Sequence, residues 1–142
     1  MAASNLSGGC HCGALAVQFS TELPLEQIEV RACQCSFCRA HGALSVTDPQ
    51  GVLTFRADDE SRLVRYQFGL KLADFLLCSR CGTYVGAYME DGGRGYGVLN
   101  VCALPERDRF GTPVLMRYDG ETLQNRLQRR RERWTPARLL RG

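Results

Sequence analysis

Cysteines are the residues of this sequence with the most evident chemistry, because seven of the eight fall into three short clusters. The clusters are Cys10-His11-Cys12, Cys33-Gln34-Cys35-Ser36-Phe37-Cys38 and Cys78-Ser79-Arg80-Cys81. The N-terminal residues have neither a basic start nor an apolar core, so we expect no secretion signal and a cytoplasmic location. Structural disulfides are not expected in that reducing compartment. Clustered cysteines there indicate metal binding or redox chemistry.

The coordination number of zinc predicts how the clusters divide. A closed structural site needs four ligands, and the first and third clusters supply two each. These four cysteines are Cys10, Cys12, Cys78 and Cys81. The middle cluster supplies Cys33, Cys35 and Cys38, and three protein ligands with one exchangeable position are typical of a reactive zinc site. Two zinc ions per chain are therefore expected. Cys102 or His11 could instead complete the middle site. The middle cluster could also form a second closed structural site rather than a reactive one.

The middle cluster predicts chemistry on a small-molecule thiol. Zinc held by three thiolates favours a soft exchangeable ligand, and binding would lower the pKa of a thiol and keep its sulfur as a nucleophilic thiolate. His41 is a candidate proton donor in the reaction of that thiolate, with an exposed loop histidine as the alternative. Arg39 is a candidate for binding a carboxylate of the thiol, with a surface ion pair as the alternative. Cys102 stands alone and is expected to be a buried free thiol.

Short strands must position these clusters. Leu15, Val17 and Phe19 alternate with polar or small residues, which is the period of a half-buried strand. The other strand candidates are 28–32, 44–47, 52–56, 63–68, 74–77, 84–89 and 96–101. Glycine, proline, aspartate and serine separate them, so the sequence predicts an all-β fold. Residues two apart in a strand lie roughly 7 Å apart along its axis, so a zinc-binding Cys-x-Cys pair must sit in a bent loop.

The length of 142 residues fits one domain. Its residues are 44% apolar and 23% charged, and both fractions are ordinary for a globular chain. No apolar run approaches the ~20 residues that span a bilayer, so no membrane contact is expected. We divide the chain into a zinc-binding domain over 1–118 and an Arg-rich tail over 119–142, which packs on that domain or extends from it. The tail is predicted to contain a short helix near 120–134. A thin apolar stripe on this helix comprises Leu123, Leu127 and Trp134.

The cysteine motifs with their flanking residues resemble those of a known family. The matching segments run from Gly9 to Leu15, from Cys33 to Arg39 with Gly42, and from Phe75 to Thr83. They are similar to the glutathione-dependent formaldehyde-activating (GFA) family, which includes the centromere protein V relatives. The resemblance covers about residues 8–104.

The resemblance carries its own implications for fold and activity. It implies an all-β, zinc-stapled fold of the β-tent kind, structural zinc on the first and third clusters, and a second zinc on the middle one. The implied activity is a carbon–sulfur lyase reaction that reversibly adds glutathione to formaldehyde and gives S-hydroxymethylglutathione. The chain departs from the family pattern in its short N-terminus, in His41 in place of the usual Thr, and in Pro105 where an acidic residue is common. These departures leave the cysteines intact and bear on glutathione specificity.

Two other functions compete with the lyase. A non-catalytic zinc module could contact nucleic acid through tail arginines, for which a solvated helix face is the alternative. These arginines are Arg126, Arg129, Arg130, Arg131 and Arg133. A thiol redox enzyme would need an accessible cysteine of low pKa, whereas the middle cysteines are spaced as ligands. Two zinc ions per chain would favour the lyase or the module, and one zinc with a free reactive thiol would favour redox chemistry.

Overall fold

The computed structural model describes residues 3–142, so Met1 and Ala2 of the predicted domain lie outside the described residues. Within this range the chain forms eleven strands and two α-helices. The strands are β1 (Ser4–Gly9), β2 (Leu15–Thr21), β3 (Val30–Cys33), β4 (Ser45–Val46), β5 (Val52–Ala57), β6 (Leu63–Tyr66), β7 (Asp74–Cys78), β8 (Tyr84–Asp91), β9 (Arg94–Asn100), β10 (Pro113–Met116) and β11 (Thr135–Arg141). The helices are α1 (Ser36–His41) and α2 (Leu123–Arg133). The predicted all-β fold with one short C-terminal helix is confirmed.

The strands form one continuous hydrogen-bonded network. Its main order is β1-β2-β5-β11-β9-β4-β3-β10, and the β6-β7-β8 meander joins it through β9. Most pairs are antiparallel, whereas β11 runs parallel to β5 and β10 runs parallel to β3. Because β11 pairs with β5 on one side and β9 on the other, the last strand of the chain is internal to the sheet.

The main core lies between inward-facing side chains of β2, β5 and β8. Leu15, Val17 and Phe19 alternate inward as predicted, and each is at most 2% exposed. They pack in one apolar cluster with Leu53 and Phe55 of β5. Burial of such side chains contributes roughly 1.5–3 kcal/mol each, so this cluster supplies a rigid platform for the cysteine loops.

Helix α2 is held on the sheet by its C-terminal end. Thr122 caps its first turn by accepting a hydrogen bond from the Asn125 amide at 3.1 Å. Trp134 follows the last turn and packs in a second apolar cluster with Met89 and Val98 of the central strands. Of the predicted apolar stripe, Leu123 is instead 46% exposed, because Trp134 rather than the first turn provides the main apolar contact. None of the helices in residues 3–142 combines the length and apolarity needed to cross a membrane.

Candidate metal centres and the adjoining cavity

The first two cysteines lie in the turn that joins β1 to β2. The Cys10 amide donates a hydrogen bond to the Leu15 carbonyl at 3.0 Å, and the Gly13 amide donates to the Cys10 carbonyl at 3.2 Å. Gly13 has φ +86°, a left-handed conformation that glycine adopts without steric cost. The pair therefore sits in a bent loop entering β2, as the spacing predicts.

The third cluster forms an equivalent knuckle at the end of β7. The Gly82 amide donates to the Cys78 carbonyl at 2.9 Å, and Gly82 has φ +80°. The amides of Arg80 and Cys81 both donate to the Cys78 sulfur, at 3.3 and 3.4 Å. Backbone amides aimed at a sulfur favour its thiolate form, which is the form that binds metal.

These two loops bring four sulfur atoms together. Within the group of Cys10, Cys12, Cys78 and Cys81 all sulfurs lie within 4.8 Å of one another. The Cys10–Cys12 and Cys12–Cys78 sulfur distances are 3.8 and 3.5 Å. A tetrahedral zinc with bonds of about 2.3 Å requires sulfurs about 3.8 Å apart, so this donor set fits zinc. Such an ion would tie the β1–β2 turn to the β7–β8 turn.

The middle cluster is built around α1. Cys33 ends β3, Cys35 caps α1 and Cys38 lies within it. The Cys38 amide donates to the Cys35 sulfur at 3.4 Å, and α1 ends at Gly42 with φ +61°. The three sulfurs lie within 4.8 Å of one another, so they too could hold a metal ion. Within residues 3–142 this group has three members, neither His11 nor Cys102 among them.

Close packing drives the thiol pKa values of each group apart. The pKa of Cys35 is lowered to about 2, because its sulfur accepts hydrogen bonds from neighbouring groups. The donors are the Cys33 thiol, the Cys38 thiol and the amides of Cys38 and Phe37. The same contacts with Cys33 and Cys35 raise the pKa of Cys38. In the other group, burial raises the pKa of Cys10 to about 11. All sulfurs of a group can ionise together only when a cation lies among them.

The structure places the remaining predicted site residues at the surface. His41 is exposed, and its ring centroid lies 4.5 Å from that of Phe37. Arg39 is exposed on the same short helix. Neither residue lines the cavity beside the middle cluster. Their roles in proton donation and carboxylate binding stay predictions.

The prediction that Cys102 is buried is wrong. Cys102 lies in a 3-10 turn over Val101–Ala103, after β9, and is exposed. Its two neighbours in the turn are buried, at 1% and 7% exposure, so the tight turn directs the intervening side chain outward. Its amide donates to the Asn100 side chain at 3.3 Å, which fixes the turn.

Thiol counting tests this division of the cysteines. If metal ions hold both groups, Cys102 should be the one thiol that reacts rapidly with a disulfide reagent in the native metal-loaded protein. Cys102→Ser should then give essentially no rapid reaction, and chelator with denaturant should expose all eight thiols of the unmodified chain. Several rapidly reacting thiols in freshly purified Cys102→Ser protein would contradict metal protection of the two groups.

A cavity of about 110 Å³ opens beside the middle cluster. The three cysteines form part of its wall, together with Arg31, Tyr84, Arg129, Arg130 and Trp134. Arg31 is not among the predicted site residues, although it lies two residues before Cys33 on β3 and therefore on the same strand face. Tyr84 is not among them either. It is 3% exposed, and its pKa is raised well above the usual value, first by burial and then by the nearby thiolates.

Helix α2 also contributes to the wall of this cavity. Arg126 and Arg130 share one helix face with Arg129, since residues three and four apart are neighbours. Glu121 accepts from Arg126 at 3.0 Å and from Arg129 at 2.8 and 3.0 Å, and these donors lower the pKa of Glu121. On the outer side Arg131 donates to Asp91 at 2.7 Å. Nucleic-acid binding, which stays an untested prediction, would compete with these contacts.

The chain is similar to known proteins in both sequence and fold. The family model described as glutathione-dependent formaldehyde-activating enzyme matches residues 5–118. A Rhodobacter sphaeroides protein of known crystal structure is 29% identical, with a TM-score of 0.59. That alignment covers 78% of this chain and 100% of the other. Both cysteine groups lie within the range of the family match, whereas α2 and β11 lie beyond it.

Proposed function

Because the chain belongs to the glutathione-dependent formaldehyde-activating enzyme family, we propose that it is a zinc-dependent carbon–sulfur lyase. It would add a small aldehyde to a thiol such as glutathione, or release the aldehyde in the reverse direction. Two zinc ions per chain would serve different purposes. The four-cysteine group would hold a structural ion, and Cys33, Cys35 and Cys38 would hold the ion of the active site.

The observation that carries this proposal is the three-membered sulfur group at a cavity wall. The first group offers four protein sulfurs, enough to fill a tetrahedral site, whereas the second group offers three and borders a cavity. Three protein ligands beside a cavity are the arrangement in which a substrate atom can approach the ion. A purely structural ion has no need of a cavity.

Zinc bound there would supply positive charge that lowers the pKa of an incoming thiol and keeps its sulfur as a thiolate. The thiolate sulfur would attack the aldehyde carbon and form the C–S bond, while the carbonyl π electrons would move to the oxygen. The oxygen would take up one proton, which balances the proton that the thiol lost. The reverse reaction breaks the C–S bond and returns the aldehyde. Phe68, Phe75 and Tyr84 line the cavity and would surround the reacting atoms with largely apolar groups.

Two exposed residues keep supporting roles in this proposal. His41 lies outside the cavity lining, so proton transfer from it to the oxygen would pass through water. Arg39 would meet a carboxylate of a thiol that is too large for the cavity, as glutathione is. Substitution of His41 or Arg39 can test each role without disturbing the fold, because both side chains are exposed and their replacement leaves the core intact.

Exchange spectroscopy tests the proposed reaction directly. Zinc-loaded protein is expected to accelerate interconversion of formaldehyde plus glutathione with S-hydroxymethylglutathione, observed by NMR magnetisation transfer at equilibrium. S-methylglutathione, which has no free thiol, should give no exchange, and removal of metal under native conditions should return the rate to that of buffer. A metal-loaded protein that accelerates exchange for no thiol–aldehyde pair would refute the lyase and leave a zinc-binding module.

A further inference from the structure

Arg130 is a buried cation without a carboxylate partner. It is 9% exposed, and among the residues that the structure describes no carboxylate oxygen lies within 4.0 Å of its guanidinium. Its contacts are the Met89 sulfur, 4.0 Å from a terminal nitrogen, and the Trp134 ring, whose centroid is 4.5 Å from the guanidinium carbon. Its Nε is buried and has no hydrogen-bond partner. Burial lowers the pKa of Arg130 to about 10, so the side chain stays charged at neutral pH.

Two of the other cavity arginines, Arg126 and Arg129, already have a carboxylate partner. Glu121 is shared between Arg126 and Arg129, and the Arg129 guanidinium also stacks on the Tyr118 ring at 3.8 Å. Arg31 also lacks a carboxylate partner among the described residues, but it donates to the Thr47 hydroxyl at 2.6 Å. Arg130 differs because its recorded acceptor is the weak Met89 thioether and its Nε is buried without a hydrogen-bond partner. A buried charge without an anionic partner destabilises a fold, so its presence calls for a compensating group.

Arg130 faces the same cavity as the three cysteines of the middle cluster. We propose that Arg130 binds the carboxylate of a compact anionic substrate whose sulfur or carbonyl group reacts at that cluster. The guanidinium fork matches a carboxylate in size and plane. The Trp134 ring uses none of its donors, and the weak contact with the Met89 sulfur uses one. This inference rests on the proposed lyase function and narrows its substrate class to small mercapto acids or aldehyde acids.

The size of the cavity supports a compact substrate. Sites for drug-sized ligands typically have volumes of at least about 300 Å³. The cavity beside the middle cluster is smaller, at about 110 Å³. Helix α2, which carries Arg130, lies beyond the residues matched by the family model. The anion-binding group is thus supplied by a part of this chain outside the shared domain, which is where a specificity-determining residue can differ among relatives.

Trp134 provides a reporter for the test, since it is the one tryptophan of the sequence and it stacks with Arg130. Its fluorescence is followed while zinc-loaded full-length protein is titrated with thiols of similar reach but different charge. These are 3-mercaptopropionate, 3-mercapto-1-propanol and cysteamine. A second titration compares glyoxylate with acetaldehyde and shows whether the carboxylate belongs to the thiol or to the aldehyde.

The expected result is at least about tenfold tighter binding of the anionic member in one of the two series. Arg130→Gln should abolish that preference, while Arg131→Gln, which alters an exposed arginine paired with Asp91, should keep it. Arg130→Met should bind no anion yet leave the melting temperature unchanged or higher, because a buried unpaired charge has been removed. A structural role for Arg130 would instead lower the melting temperature of both Arg130 variants.

Several results would overturn the inference about Arg130 without contradicting the proposed lyase activity. One is an absence of anion preference in the unmodified protein, and another is a preference that survives Arg130→Gln. Loss of the second metal from Arg130→Gln would assign the arginine to balancing thiolate charge instead. Conversely, Arg130-dependent anion binding in a protein that accelerates no exchange would support the anion site while refuting the lyase.

Discussion

Cys78→Ser is expected to lower the melting temperature by at least about 15 °C, or to prevent recovery of folded protein. Cys78 is buried, and its sulfur lies 3.5 Å from that of Cys12 across two distant loops. Loss of one ligand would release a structural ion whose binding free energy is also folding free energy, with a loss of several kcal/mol. The β1–β2 turn would then be detached from the β7–β8 turn. Circular dichroism melting and metal analysis measure the effect.

Cys102→Ser is the matched control for this substitution, because it makes the same chemical change at an exposed cysteine outside both groups. It should leave the melting temperature within about 2 °C and both metal ions in place. If Cys78→Ser melted like this control and kept two metal ions, the first group would not be a structural metal site.

The cysteine sites were predictable because local sequence determines most of their geometry. Gly13 and Gly82 adopt the left-handed turns that the Cys-x-Cys and Cys-x-x-Cys spacings require, so each pair of ligands is positioned within a few residues. The alternation of Leu15, Val17 and Phe19 likewise determines which face of β2 is buried, and its prediction is confirmed. Zinc stoichiometry then limits which pairs can combine.

The strands that the sequence analysis missed depend on distant partners. Ser4–Gly9 shows little apolar alternation and becomes β1 through six paired positions with β2. Thr135–Arg141 lies in the predicted Arg-rich tail, yet it forms β11 because it pairs with β5 on one side and β9 on the other. Propensity alone does not reveal such tertiary pairing.

The cavity could not be predicted for the same reason. A helix with arginines at 126, 129, 130, 131 and 133 has the composition of a solvated surface helix. The pairing of β11 within the sheet and the packing of Trp134 fix the end of α2, and three arginines of this helix line the cavity that the middle cysteines also line. A sequence signal existed for Arg31, two residues from Cys33 on one strand, but none existed for Arg130.

Cys35→Ser is expected to remove one metal ion per chain and to lower thiol–aldehyde exchange at least about 100-fold while the protein stays folded. Serine should preserve the helix cap, because its hydroxyl can accept the Cys38 amide hydrogen bond that the Cys35 sulfur accepts at 3.4 Å. It is a poor zinc ligand, so the substitution separates metal binding from α1 formation. The middle cysteines pack in a small cluster outside the main core, and the melting temperature should fall by less than about 5 °C.

The comparison of Cys35→Ser with Cys78→Ser distinguishes the two sites more sharply than either variant alone. One substitution should remove activity from a folded protein, and the other should remove the fold. If Cys35→Ser kept full exchange activity, the middle group would not be the reaction site. If it instead unfolded the protein as Cys78→Ser should, the middle ion would be structural. The chain would then be a module with two structural ions, because a site that is needed for folding and already closed offers no position for a substrate sulfur.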